Sequence, residues 1–250
     1  MKDFLVAVHQ PNFLPWLGFF DKINKADIFV LLDDVQYPRR SWSNRVRIKG
    51  AGGEQWLSVP VKVKGRFEQS IAEAEIDYGE DWVRTHLETL QRNYGKYSYF
   101  DQIWPSIASA VKDRHALLCE LNVALIETIS RLLQIDTPMC FSSQSPAKTQ
   151  ATKRLIHVVK AVGGKIYLSG NGAQGYQENE EFAVEKIGLC FQQFSHPEYP
   201  QRSGDFVAGL SIFDVISSWG LDATQEFLRG SKKTWSSDQN MSLCACAPAM

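Results

Sequence analysis

The sequence predicts an α/β protein built on a mainly parallel sheet, and three observations carry this prediction. An apolar run, a loop, a helical stretch and a second apolar run follow one another near the N-terminus, which is the pattern of a βαβ unit. Further apolar runs alternate with helical stretches in the second half of the chain. The composition, 44% hydrophobic and 22% charged, is that of a globular chain able to bury a core.

The first βαβ unit is predicted at residues 4–33. The apolar run at 4–9 ends in polar residues and two prolines, which predicts a strand followed by a loop. Residues 16–26 carry apolar side chains at helical spacing and predict a helix. The run at 28–33 predicts the second strand, because it is continuously apolar until it stops at two aspartates.

A β-hairpin and an inserted helical block are predicted next. Val46 and Ile48 alternate with basic residues, and a turn at 50–53 leads into a second run at 56–61. The helical block spans about residues 80–135. Its apolar spacing predicts one helix at 82–94 and two more over 103–133 that divide near Arg114.

The second half of the chain completes a Rossmann-like arrangement. We expect a helix at 151–162, strands at 165–169 and 189–194, and closing helices at 211–219 and 223–228. Residues 1–230 then form a single α/β domain. Residues 231–250 lack periodicity and are expected to form a disordered tail.

Charge and cysteine usage limit the function classes. There are 27 Lys and Arg residues against 28 Asp and Glu, so the net charge of -1 gives no overall attraction to nucleic acid or anionic membrane. We see no signal-peptide layout and no apolar run of the roughly 20 residues that a membrane span needs. An odd count of five cysteines without a disulfide framework predicts reduced thiols, a cytoplasmic protein and no metal site.

Polar side chains follow the first two predicted strands. His9, Gln10 and Asn12 come after the first strand, and Asp33 and Asp34 after the second. Ligands of open parallel sheets bind beyond the carboxyl ends of strands, and a histidine oriented by a carboxylate is a general acid–base arrangement. We therefore predict catalytic roles for the histidine and both aspartates. The alternative is that the imidazole bonds only local backbone and the aspartates cap the next segment.

A basic, aromatic stretch follows the second strand. It comprises Tyr37, Arg39, Arg40, Trp42, Asn44, Arg45, Arg47 and Lys49. Arginine binds phosphate oxygens bidentately and aromatic rings stack on bases or sugars, so Tyr37, Arg40, Asn44 and Arg45 are candidate substrate-binding residues. A solvated face and a surface for single-stranded nucleic acid are the alternatives. The balanced total charge favours a small phosphorylated ligand.

Two later strands also end in candidate residues. Ser169 and Asn171 lie in a Gly-rich turn whose backbone amides could hold an anion. His196, a candidate catalytic residue, and Tyr199, a candidate substrate-binding residue, follow the last predicted strand. We expect both strand-end histidines to face one cleft. A rigid, Pro-rich turn is the alternative for this second segment. Asp214 either caps its helix or reaches the cleft.

Long strings of the sequence resemble the WbqC-like protein family. The resemblance is carried by VHQPNFLPWLGFFDK at 8–22, and continues at 31–37, 40–45, 56–61, 167–170, 196–199 and 210–214. It covers about residues 4–230. Members of the family are often encoded among bacterial surface-polysaccharide functions, which implies nucleotide-linked sugars as substrates. Some are linked to attaching glycine or another acyl group to an amino sugar.

The sequence and the resemblance together suggest a transferase that forms an amide on a nucleotide-linked amino sugar in O-antigen synthesis. His9 would be the base, Arg40, Asn44 and Arg45 would hold the diphosphate, and Ser169 and Asn171 would contact the sugar or acyl oxygen. Neither the acyl donor nor a cofactor is identified. One alternative is an ATP-dependent nucleotidyltransferase or ligase related to the HxGH type, although Gly18 is followed by Phe19 and the second histidine is missing. Another is a non-catalytic binding protein of polysaccharide assembly.

Overall fold

A five-stranded, all-parallel sheet forms the centre of the protein. The computed structural model describes residues 3–147, 149–170, 179–202 and 204–237. The sheet strands are β1 (Leu5–His9), β2 (Ile28–Leu31), β5 (Met139–Phe141), β6 (Ile166–Ser169) and β7 (Gly188–Phe191). Their order is β5-β2-β1-β6-β7. A separate antiparallel hairpin consists of β3 (Arg45–Gly50) and β4 (Gly53–Ser58). The predicted fold class, a Rossmann-like sheet with a hairpin and a helical block, is confirmed.

The helices cover both faces of the sheet and include the predicted block. They are α1 (Leu17–Lys25), α2 (Trp82–Tyr94), α3 (Trp104–Lys112), α4 (Leu118–Leu132), α5 (Ala151–Ala161), α6 (Asn179–Val184), α7 (Ile212–Trp219) and α8 (Leu221–Ser237). Arg114 lies between α3 and α4, with a positive φ of 47°. No helix within the described ranges is long and apolar enough to cross a membrane.

Helix α8 extends beyond the boundary expected at residue 230. Residues 231–237 form its last two turns, and Trp235 is only 5% exposed. These seven residues therefore belong to the folded domain. The remainder of the expected tail, 238–250, lies outside the described residues.

Alternate side chains of β1 separate the core into two layers. Leu5 and Ala7 pack with α1 in the larger cluster, whereas Val6 and Val8 pack with α5 and α6 in the smaller one. His9 continues the first series, so its side chain leaves the sheet on the α1 face. Its ring centroid lies 5.0 Å from that of Phe19 in an edge-to-face contact.

The topology creates a crevice between the carboxyl ends of β1 and β6. From β1 the chain crosses to β2 on one side, and from β6 it crosses to β7 on the other. Because Ala7 pairs with Leu168, the chain leaves β1 at His9 and β6 at Ser169 at nearly the same level. Such a switch point is where open α/β sheets bind ligands.

Candidate functional site

A cavity of about 390 Å³ occupies this switch point. Four segments line it: the end of β1, the first turns of α1, the end of β6 and the stretch after β7. The polar or wall-forming members used below are His9, Trp16, Gly18, Lys22, Ser169 and Gln192. The cavity therefore brings residues far apart in the sequence to one place on the carboxyl edge of the sheet.

His9 is held as a neutral imidazole at this edge. Its Nδ1 lies 2.9 Å from the carbonyl oxygen of Gln10, so Nδ1 carries the proton and donates it to that carbonyl. Burial, followed by the nearby charge of Lys22, lowers the pKa of His9 to about 4, against the opposing effect of the Gln10 hydrogen bond. Nε2 has no hydrogen bond with any described residue and is left as an acceptor on a cavity-lining side chain.

Lys22 is a cavity residue that we did not identify from the sequence. It is 3% exposed, and its Nζ donates a 2.9 Å hydrogen bond to the carbonyl oxygen of Val8. Burial lowers the pKa of Lys22 to about 7. The signal was present in the sequence, because Lys22 falls between Phe19 and Ile23 on the apolar face of α1. A lysine on the apolar face of a helix becomes buried when that face packs against the core.

Gln192 also lines the cavity, and the buried carboxylate of Asp21 holds its side-chain amide in place. Its Nε2 donates to the carbonyl oxygen of Gly18 and to Oδ2 of Asp21, both at 2.7 Å. Lys25 also donates to this oxygen of Asp21, at 2.8 Å. Both hydrogens of the Gln192 amide are thus engaged. Its side-chain oxygen accepts no hydrogen bond from the part of the chain that the structure describes and is available to a ligand.

Gly18 allows the indole of Trp16 to form another wall. A Cβ atom on Gly18 would lie 2.3 Å from Cη2 of Trp16, so a larger residue would force the ring away from α1. The indole contacts Phe194 at 5.1 Å between ring centroids. Trp16 and Gly18 both lie in the string at 8–22 that carries the family resemblance. This string therefore shapes the cavity as well as the start of α1.

His196, expected in the same cleft as His9, lies behind Trp16 and does not line the cavity. Its ring stacks on the indole at 6.3 Å and also contacts Phe194, Tyr199 and Phe206. Its Nδ1 lies 2.9 Å from the carbonyl oxygen of Pro197, and burial lowers its pKa. The aromatic cluster, which pattern reading did not reveal, separates the two histidines.

Asp33 and Asp34 do not orient His9. Asp33 accepts hydrogen bonds from the hydroxyl groups of Ser142 and Ser143, at 3.1 and 2.7 Å, and from the backbone N–H of Ser143 at 3.0 Å. Asp34 accepts a 2.5 Å bond from Ser142 and pairs with Arg154. The predicted His–Asp pairing is therefore wrong. Both carboxylates turn toward β5, the strand missing from the prediction, which lies on the far side of β2.

The basic, aromatic stretch lies apart from the cavity, and none of its four candidates lines it. Arg40 is exposed at a positive φ of 53°. Asn44 donates to the carbonyl oxygen of Val59 at 3.1 Å, and the Arg45 guanidinium stacks 4.3 Å from the ring centroid of Trp56. Tyr37 is buried, which raises its pKa to about 12. The predicted diphosphate site is therefore not joined to His9.

The remaining candidates have mixed positions. Ser169 lines the cavity, and Gln10 serves it through the carbonyl that orients His9. Asn12 is buried in the same loop. Asn171 lies outside the described residues.

Tyr199 belongs to a buried polar pair under the hairpin. Its hydroxyl donates to Oδ2 of Asp214 at 2.6 Å, and burial raises the pKa of both groups. The α7 cap is Ser211, whose Oγ accepts from the backbone N–H of Phe213. Asp214 thus neither caps its helix nor lines the cavity.

Comparison with known proteins agrees with the motifs that shape the cavity. A model of the WbqC-like protein family matches residues 10–226. Over 226 residues the chain is 36% identical to the uncharacterized protein Rv1507c of Mycobacterium tuberculosis, covering 90% of this chain and 97% of that protein. The matched region runs from the loop after β1 to helix α8 and so contains the whole sheet except its first strand. The chain belongs to the WbqC-like protein family.

Proposed function

We propose that the protein is a transferase that forms an amide on the amino group of a nucleotide-linked sugar, in bacterial surface-polysaccharide (O-antigen) synthesis. The observation that carries the proposal is the neutral His9, fixed by the Gln10 carbonyl with Nε2 left as an acceptor in the switch-point cavity. Amide formation needs such an acceptor for the proton of the attacking amine.

The reaction has one bond formed and one broken. The sugar nitrogen forms a bond to the acyl carbon of the donor, and its proton moves to Nε2 of His9. The bond between the acyl carbon and the donor's leaving group then breaks, and the proton passes to that leaving group. A low pKa makes His9 a weak base for the free amine. It suits the tetrahedral stage, at which the attacking nitrogen is cationic and strongly acidic.

Mass spectrometry of the reaction mixture tests the proposal. UDP-, dTDP- and GDP-linked amino sugars would be combined with an acyl-coenzyme A, or with glycine plus ATP and Mg²⁺. We expect a new amide product with the wild type and a loss of at least 100-fold in its rate for His9→Gln. His115→Gln, on the loop before α4, is the matched control. A wild-type rate in His9→Gln would remove the residue from the reaction, and pyrophosphate release without an amide would favour the nucleotidyltransferase alternative.

A further inference from the structure

The cavity contains a buried ammonium that has no counterion among the residues the structure describes. Lys22 forms no ion pair with any acidic group in the described part of the chain. The Val8 carbonyl accepts one of its three N–H donors, and the face of Tyr167 lies 5.9 Å away. A buried charge that lacks a partner is costly, so its presence in a cavity calls for an explanation.

Among the described residues, the acidic group adjacent in sequence to Lys22 is engaged elsewhere. Asp21, adjacent in sequence, accepts from Lys25, Gln192 and Ser231, the last at 2.5 Å. His9 on β1 is neutral, and the ring centroid of Tyr167 on β6 lies 5.9 Å from Nζ of Lys22. The first turn of α1 also lines the cavity, and the N-terminal end of a helix carries a partial positive charge. The described residues therefore leave the cavity with a positive electrostatic potential from Lys22 and the start of α1.

We propose that Lys22 is the anion-binding group of this cavity and that its ammonium pairs with one oxyanion of the ligand, from a diphosphate or a carboxylate. Binding of an anion does not require that the protein catalyses a transfer. The choice of a diphosphate or a carboxylate as the anion rests on the proposed function. Lys22 thus takes the anion-binding role that the sequence suggested for Arg40 and Arg45, which lie outside the cavity.

Anion binding on Lys22 has a protonation signature. The group lies near His9, whose pKa it lowers, and near the ring of Tyr167, while Asp21 and Lys25 are charged residues of its own helix. Burial holds the pKa of Lys22 at about 7 in the free protein. An oxyanion favours the charged form and raises this pKa, so binding near neutral pH takes up protons. Affinity is then highest below pH 7 and falls as the pH rises above it.

Calorimetric titration with UDP-glucose and with glycine tests the assignment. We expect one ligand to bind the wild type and to bind Lys22→Met at least tenfold more weakly: UDP-glucose if the oxyanion is a diphosphate, glycine if it is a carboxylate. Lys112→Met, at an exposed position of α3, is the matched control and should bind like the wild type. Equal binding by Lys22→Met, or no binding of either ligand to the wild type, overturns the proposal.

A second measurement decides the question if Lys22→Met does not fold. Titration of the wild type in two buffers of different ionisation enthalpy should show uptake of about half a proton per ligand at pH 7, and no uptake would contradict the assignment. The two proposals also fail separately. Amide formation by Lys22→Met at an unchanged KM would remove only the anion site, whereas binding on Lys22 without any amide product would remove only the transfer reaction.

Discussion

Burial sets the protonation of the key side chains at the scale of single residues. His9 and His86 both have a pKa of about 4, and for both the first cause is loss of solvent. Neither has an acidic partner in the described residues. The two differ in surroundings, because His9 lines a cavity and His86 packs in the core between Phe13 and Trp82. The same physical effect thus gives a usable acceptor in one place and a core residue in the other.

His86 should make stability depend on pH in a defined window. Its folded pKa of about 4 lies below the unfolded value of 6.5, so the unfolded state binds more protons between these values. The contribution of His86 to the free energy of unfolding is fully present above pH 6.5. We expect a loss on the order of 3 kcal/mol from this contribution as the pH drops through 4. His86→Leu should remove about half of this slope in urea titrations, because His9 has a similar folded pKa and keeps its own share. Thr85→Leu, at the exposed neighbouring position, should keep the wild-type slope, and an unchanged slope in His86→Leu would contradict the prediction.

The position of His9 at a strand end was predictable from the sequence, but the groups that surround it were not. A polar residue directly after an apolar run marks a strand end, and this local signal is strong. Which groups meet it depends on strand order, and β5, only three half-buried residues long, was too short to show a period. Without β5, the serines that bind Asp33 and Asp34 could not be identified from the sequence.

At the scale of elements, the start of α1 and the indole of Trp16 form one unit. The helix begins at Leu17 without a side-chain cap, and Gly18 leaves room for the ring across its first turn. Helical spacing predicted α1 from sequence, but the close approach of the ring to Gly18 is a tertiary contact that spacing does not contain. The cavity wall therefore depends on Gly18, and the sequence alone does not show why a glycine is needed at this position.

Gly18→Ala should displace the indole and alter the cavity. The added Cβ would lie 2.3 Å from the ring, and we expect binding of the cavity ligand to weaken by roughly tenfold, the cost of a misplaced wall. Gly230→Ala on α8 is the contrasting substitution, because its Cβ would meet no atom within 4 Å. It should raise the free energy of unfolding by about 0.5–1 kcal/mol and leave binding unchanged. Unaltered binding by Gly18→Ala would show that Trp16 is not a wall of the site.

At the scale of the whole molecule, the closing helix supports the helix that carries the site. Asn24 of α1 donates to the carbonyl oxygen of Leu228 at 3.0 Å, and Lys25 lies 5.4 Å from the ring centroid of Trp235. Composition and alternating elements predicted the α/β class from sequence. The end of α8 was not predictable in the same way, because residues 231–237 are mostly polar, and the contacts of Ser231 and Trp235 with α1 are tertiary contacts.

Trp235→Ala should therefore destabilise the protein. Removing a buried indole leaves a cavity and costs about 3 kcal/mol in the free energy of unfolding. Thermal or urea unfolding would measure the change, with Glu226→Ala at an exposed position of the same helix as the control. If Trp235→Ala were as stable as the control, the last turns of α8 would not belong to the folded domain.

A crystal structure of the protein with a bound nucleotide-linked amino sugar would show whether His9 and Lys22 receive the substrate. We expect the ligand in the cavity between β1 and β6, with the sugar nitrogen in hydrogen-bond reach of Nε2 of His9 and an oxyanion on Nζ of Lys22. A ligand stacked on Trp56 beside Arg45, with the cavity empty, would contradict this expectation and return the hairpin to the role that the sequence first suggested.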